Sequence, residues 1–146
     1  MKGLIQRVKS ASVDVRNQRV GEIRKGILLL LGVEKEDTPA IADKLLHKIL
    51  HYRIFPDADD KMNLNLLQAG GDLLIVSQFT LVAETNKGLR PGFSNGASPE
   101  HGLNIYNYFI EKAQLHNIKV ATGEYGADMQ VGLINDGPVT FLLECS

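Results

Sequence analysis

One cysteine, Cys145, and no tryptophan stand in this chain of 146 residues. A lone thiol closes no disulfide within the chain, so the fold has to rest on its apolar core, and the expected compartment is one that keeps thiols reduced, the cytosol. Long hydrophobic runs are missing as well: the longest, Ile27 to Leu31, is far short of the ~20 residues that cross a bilayer. No membrane role is expected. The first residues lack the charged, apolar and small-residue succession of an export signal. Nor is there a surplus of one charge. With 16 Lys and Arg against 17 Asp and Glu the net charge is −1, which argues against a module that holds nucleic acid by bulk electrostatics. The charge is uneven, +5 over residues 1 to 25 and −6 over the rest. Strands that alternate solvated charges with core residues account for such a skew without RNA, so it is weak evidence for a basic edge.

What the chain does have is 44% hydrophobic residues, enough for one domain, residues 1 to 146, burying ~68–70% of the surface its unfolded chain exposes. Leu4, Gln6 and Val8, then Val13 and Val15, alternate as in strands. Arg16 to Arg19 form a polar turn, and Val20 to Ile23 and the run after Gly26 complete a β-meander. Thr38-Pro39 offers an N-cap and a first-turn proline, with Ile41, Leu45, Leu46, Ile49 and Leu50 on one face of a helix to about Tyr52. Ser98-Pro99-Glu100 repeats the signal for a second helix, carried to about His116 by Leu103, Tyr106, Ile110 and Ala113. Further strands are predicted over Asp72 to Leu81, Ile118 to Thr122, and the two runs Met129 to Ile134 and Val139 to Leu143 on either side of a Gly137-Pro138 turn. Runs of strands interrupted by two good helices predict an α+β fold with a largely antiparallel, strongly curved sheet.

Several constellations that could carry chemistry read more simply. His47 and His51 stand four apart, as metal ligands can, but no Glu completes an H-E-x-x-H motif and Asp43 shares their face, so a solvated helix face is expected. Asp57 to Asp60 begins like a calcium loop, yet Lys61 occupies a ligand position and no glycine follows; a turn is expected. No G-x-S-x-G elbow surrounds Ser77 and no histidine is near it. Cys145, one residue from the end, reads as a bystander. No metal or cofactor is expected.

Two segments remain. Ser77-Gln78-Phe79-Thr80-Leu81 closes the apolar run Leu73 to Val76 with three hydrogen-bonding side chains, where a buried strand would continue apolar. Asn135-Asp136-Gly137-Pro138-Val139-Thr140 sets a rigid Gly-Pro turn between strand-like runs. Alternation would put Gln78 and Thr80 on one face of a strand end and Ser77 and Phe79 on the other. On propensity alone Thr80 is a strand residue with a locally bonded hydroxyl, and Gly137-Pro138 is trans, since cis occurs in ~5–6% of X-Pro bonds.

Together SQFTL and NDGPVT resemble the signature motifs of the D-aminoacyl-tRNA deacylase (D-tyrosyl-tRNA(Tyr) deacylase) family. Leu4 to Val8, Leu30 to Val33, Tyr52 to Phe55, Lys61 to Asn65 and Gly96 to Pro99 are similar to family blocks in the same order. The resemblance implies a barrel-like pair of β-sheets with helices outside, in β/β/α layers, and a homodimer with active sites at the subunit interface. It implies a cytoplasmic hydrolase of carboxylic ester bonds that releases D-amino acids from aminoacyl-tRNA, D-tyrosyl-tRNA among them, with glycyl-tRNA a further candidate substrate. It places Ser77, Gln78, Phe79 and Thr80 in the pocket for the terminal adenosine and its ester, with backbone N–H groups near Phe79 and Thr80 as an oxyanion hole and the RNA 2′-hydroxyl assisting. It makes Gly137-Pro138 a cis turn that enters the partner subunit's pocket as a chiral filter, steadied by Arg7. Tyr125 stands where relatives typically carry a phenylalanine lining the adenosine pocket, and its hydroxyl needs a partner if buried. Lys87 and Arg90, in the loop Asn86 to Ala97, are candidates for acceptor-stem phosphates or simply surface residues. A non-catalytic β-module that binds RNA or protein, and a hydrolase using Thr80 or Ser77 covalently, are the competing readings.

Overall fold

A computed structural model describes residues 1–146. Everything is organised around β1 (Lys2–Val15), which pairs with three strands. On one edge its first half pairs antiparallel with β3 (Gly26–Gly32) and its second half with β2 (Gln18–Ile23). Along the other edge runs β8 (Gln130–Glu144), antiparallel for its whole length. The sheet continues from β3 in parallel to β6 (Asp72–Ser77) and then to β7 (Val120–Thr122). β7 comes back towards β2, leaving a nearly closed barrel: a Cβ on Gly21 would stand 2.4 Å from Thr122 O.

Two apolar clusters explain the layers. Val8, Ala11, Val13, Val15, Ile23, Leu28, Leu74 and Val76 fill the barrel interior. Ile5, Ile27, Leu29, Leu31, Leu73 and Ile75 face the other way, onto α1 (Pro39–His51) and α3 (Pro99–Ala113). Thus β3 and β6 are buried on both faces, which is why they read as unbroken apolar runs instead of alternating ones. The buried face of α1 is Ala42, Leu45, Leu46, Ile49 and Leu50, and that of α3 includes Ile105, Tyr106 and Phe109. Burial of each of the leucine, isoleucine and phenylalanine side chains stabilises by about 1.5–3 kcal/mol. Both helices start as their sequences require, with Thr38 Oγ1 accepting from Ile41 N (3.3 Å) and Ser98 Oγ from His101 N (3.2 Å). The α+β, barrel-like, β/β/α architecture with two main helices outside is therefore the one expected.

The opening strands are not the expected meander, since β3 pairs with β1 and not with β2. Four further details differ from the sequence reading. The predicted strand from Asp72 ends at Ser77, and residues Phe79–Val82 form a 3-10 turn. Val82, only 3% exposed, fills the space over Gly32, where a Cβ would lie 2.8 Å from Val82 Cγ1, and that packing overrides the strand propensity of Phe-Thr-Leu-Val. Second, the runs flanking Gly137-Pro138 are one strand, not two joined by a reversing turn: Gln6 pairs with Thr140 and Val8 with Asn135, so residues 136 to 139 bulge out opposite Arg7 alone. Third, α3 stops at Ala113, before His116, and β7 starts at Val120. Fourth, the reading omitted a small hairpin, β4 (Phe55–Pro56) with β5 (Met62–Leu64), and the short α2 (Leu66–Ala69), whose capping box joins Asn65 and Gln68. Between β4 and β5 the segment at Asp57 is a turn, its carboxylate accepting from Asp59 N and Lys61 N.

Candidate active site

β6 delivers the first polar segment. Its pairing with β3 runs to Leu31 opposite Ser77, and Gln78 N then donates to Leu31 O at 2.8 Å before the chain turns. The first bond of the 3-10 turn is Leu81 N to Gln78 O (3.3 Å), so the N–H groups of Phe79 and Thr80, which precede it, take no bond within the turn. Gln78 and Thr80 are joined despite the loss of strand alternation, Gln78 Nε2 donating to Thr80 Oγ1 at 2.5 Å. Thr80 is exposed and Ser77 and Gln78 are half-buried. No histidine or carboxylate bonds the Thr80 hydroxyl, whose hydrogen-bond partner is the Gln78 amide.

Beside this segment opens a cavity of about 480 Å³, within the size range of small-ligand sites. Ser77, Gln78 and Phe79 form one wall, and Tyr106, Tyr125 and Met129 belong to another. Phe79 is 67% exposed and its ring lies 5.3 Å from that of Phe93, at the mouth. The cavity is therefore lined largely by aromatic and apolar groups, with Ser77 and Gln78 at the end of β6 and Asp128 among its polar side chains. Tyr125 packs 5.4 Å from Tyr106, and its hydroxyl reaches Pro99 O at 3.5 Å. Burial raises the Tyr125 phenol above its ordinary range.

Tyr106, on α3, was not singled out by the sequence reading as anything but a core residue. Its hydroxyl donates to Ile75 O on β6 at 3.1 Å, tying the helix to the strand that ends in Ser77. Burial pushes this phenol up to about 12. The neutral form is thus the one the fold favours: the stabilisation is complete below the unfolded value near 10 and is lost as pH rises from there through about 12. Alkaline unfolding should consequently steepen between about pH 10 and 12. Tyr106→Phe is expected to lower stability at pH 7 by about 1 kcal/mol, through the unpaired Ile75 carbonyl, and to flatten that alkaline limb. Urea midpoints measured from pH 8 to 12 check both effects. The upward shifts at Tyr108, beside Asp43, and at Tyr125 leave a residual slope of the same sign.

The second polar segment lies elsewhere on the chain. Gly137 and Pro138 are exposed, their peptide bond is cis, and neither lines the cavity beside Phe79. Arg7 holds the bulge from beneath: its Nε donates to Asp136 O (2.9 Å) and its Nη1 to Ile54 O (2.6 Å). The Arg7 Nε bond thus falls on the residue just before Gly137-Pro138. Asn135, which the sequence reading quoted only as part of the motif, closes the bulge from the side. Its Oδ1 accepts from Val139 N at 2.7 Å, and its Nδ2 donates to Thr140 Oγ1 at 2.9 Å. The known tendency of Asn to bond nearby backbone was the signal available. The chain brings Ser77, Gln78, Phe79 and Tyr125 together with Thr80 alongside, and keeps Arg7, Gly137 and Pro138 as a separate group.

The remaining constellations stay apart from both groups. His47 and His51 stack on the exposed face of α1 with ring centroids 4.2 Å apart. No helix is long and apolar enough to cross a membrane.

A nearly closed barrel with helices on one side, an aromatic-lined pocket at the end of β6 and an exposed bulge in β8 define a compact α+β class. The family described as D-Tyr-tRNA(Tyr) deacylase matches residues 4–144. The chain is 65% identical over 143 residues to the D-aminoacyl-tRNA deacylase of Pseudoalteromonas atlantica, covering 98% of this chain and 99% of that one. It is 59% identical over 144 residues to the D-aminoacyl-tRNA deacylase of Cellvibrio japonicus, covering 99% of each. Among solved structures, a protein titled c-Myc DNA Unwinding Element Binding Protein superposes with a TM-score of 0.94 at 37% identity, over 99% of this chain and 98% of the other. A probable eukaryotic D-amino acid tRNA deacylase shares the fold, with a TM-score of 0.83 at 16% identity over 97% of each chain. The chain belongs to the D-Tyr-tRNA(Tyr) deacylase family. Membership agrees with the expected hydrolase of ester bonds.

Proposed function

We propose that this protein hydrolyses the ester of D-aminoacyl-tRNA, releasing the D-amino acid and tRNA, and rejects L-aminoacyl esters with the Gly137-Pro138 bulge. The observation that carries the reading is an aromatic-lined cavity that includes Ser77, Gln78 and Phe79, beside a 3-10 turn whose first N–H groups, of Phe79 and Thr80, precede its first hydrogen bond. An aminoacyl ester is already activated, so catalysis needs a placed water and stabilisation of the tetrahedral oxyanion more than a strong side-chain base. Water adds to the ester carbonyl carbon, the N–H groups of Phe79 and Thr80 receive the developing negative oxygen, and the ribose 3′-oxygen departs protonated. The ribose 2′-hydroxyl neighbours that oxygen and is suited to relay the proton. Ser77 and Gln78 shape the polar end, and Tyr125 offers a ring to the terminal base.

In this reading the working unit is a homodimer, located in the cytoplasm with the substrate. The bulge lies outside its own protomer's pocket, so a second copy must supply it. The surface beside it fits such a contact: Ile134 (57% exposed), Leu142 (49%), Leu133 and Phe141 present apolar side chains on β8 on both sides of the bulge. In the shared site the turn's carbonyls would accept from the substrate α-ammonium while the backbone blocks an L side chain. Lys87 and Arg90, exposed in the loop after the 3-10 turn, are the cations this reading assigns to phosphate contacts.

A covalent threonine mechanism gives a different result from this one. The Thr80 hydroxyl has no base to activate it, so Thr80→Ala should retain deacylation of D-tyrosyl-tRNA to within about tenfold, the scale of one lost hydrogen bond. Loss of all activity, or an acyl group trapped on the protein by acid quench, would return Thr80 to the role of nucleophile. Protein that binds D-tyrosyl-tRNA yet never shortens the lifetime of its ester would be the non-catalytic module.

A further inference from the structure

The Tyr125 ring sits where it does because position 102 carries no side chain. Gly102 lies in the first turn of α3 and faces the core. A Cβ there would stand 2.5 Å from the Tyr125 hydroxyl oxygen, but 3.6 Å from Tyr125 Cζ and 3.7 Å from Ala97 Cβ. The first distance is a collision and the other two are ordinary contacts, so it is the hydroxyl alone, not the ring, that requires the missing methyl. From Tyr125 the packing continues to the Tyr106 ring at 5.4 Å, and the Tyr106 hydroxyl holds Ile75 O, two residues before Ser77. The far end of the Tyr125 segment is just as tight, with Met129 Sδ 2.6 Å from where a Cβ on Gly123 would be. Gly102, Tyr106, Tyr125 and Met129 all line the cavity.

We propose that Gly102 and Tyr125 are a coupled positioning pair that sets the width of the pocket half receiving the flat base of the terminal nucleoside. The proposal rests on reading the cavity as an acceptor-end site. Neither residue reaches the reacting ester atoms; Gly102 acts through Tyr125, by leaving the volume its hydroxyl fills. A side chain at 102 pushes the ring into the cavity, narrowing the slot for a base. With phenylalanine at 125 the same side chain is tolerated, and alanine, the better helix former, is then neutral or favourable in α3.

The test is a double-mutant cycle with Gly102→Ala, Tyr125→Phe and the double variant, in the full chain. Steady-state deacylation of D-tyrosyl-tRNA gives KM and kcat, and urea unfolding without substrate gives an independent reading of the pair. Gly102→Ala is expected to raise KM about tenfold with Tyr at 125, leaving kcat within about twofold, and to change KM by less than about twofold with Phe at 125. The unfolding midpoint should show the same rescue, and an insoluble single variant beside a soluble double variant counts as that rescue. Equal KM penalties in both backgrounds overturn the proposal, as do a penalty confined to kcat and insolubility of both variants. If no form of the protein deacylates, the functional reading fails on its own. The unfolding midpoints then decide the pair, rescue upholding the coupling and its absence refuting it.

Discussion

Gly137→Val should reduce D-tyrosyl-tRNA deacylation by about a hundredfold or more, the scale on which a displacement of 1 Å at a positioned group acts. Two independent facts converge on this residue. Its φ is +146°, a backbone region closed to β-branched side chains and costing about 1–3 kcal/mol when forced. A Cβ at this position would also stand 2.7 Å from Val139 Cγ2, 3.0 Å from Val139 N and 3.3 Å from Arg7 Nη2. The first two contacts break the bond that Asn135 makes to Val139 N, and the third disturbs the guanidinium that holds Asp136 O. Gly137 and Pro138 are exposed and belong to neither apolar cluster, and of the bulge only Val139 is buried in the outer one, so the global fold should survive the change with a lowered urea midpoint. Circular dichroism and the urea midpoint check that survival, and single-turnover deacylation checks the loss. Compared with Thr80→Ala, the ranking is the informative result: backbone geometry at 137 should matter far more than the hydroxyl at 80.

A second large effect is expected in substrate range. If backbone groups fix the α-ammonium and the ester, a D side chain points away from the turn and its chemistry matters little, while an L side chain collides with Gly137-Pro138. D-aminoacyl-tRNAs with aromatic, charged and small side chains should then be cleaved at rates within about tenfold of one another, because no pocket contact distinguishes them. Glycine, with nothing to collide, should pass the same filter and be cleaved too. Deacylation of a panel of D-aminoacyl-tRNAs and of glycyl-tRNA under one set of conditions measures this. Strong dependence on the D side chain would mean that a side-chain pocket, not backbone exclusion, selects the substrate.

Legibility in the sequence followed the range of the forces involved. Thr38-Pro39 and Ser98-Pro99 announced the two helices because capping is local, and the doubly apolar β3 and β6 announced their burial. The Asn65–Gln68 capping box was equally local and was readable, though α2 is only four residues long. The 3-10 turn was not readable, since it exists because Val82 packs over Gly32, from a strand far off in sequence. Nor was the bulge: only pairing of β8 with one continuous β1 shows that Gly137-Pro138 interrupts a strand without reversing it. The SQFTL and NDGPVT motifs pointed to the site, whereas Gly102 and Tyr106 carry no local signal and enter it through the packing of α3.

The most direct measurement is the hydrolysis of D- and L-tyrosyl-tRNA, the same tRNA carrying the two enantiomers, by the purified protein. The D ester should be cleaved at least about a hundredfold faster than the L ester, the scale on which a steric misfit of about 1 Å at the reacting centre acts. Comparable rates on the two would contradict the reading of Gly137-Pro138 as the chiral filter, even with the esterase activity intact.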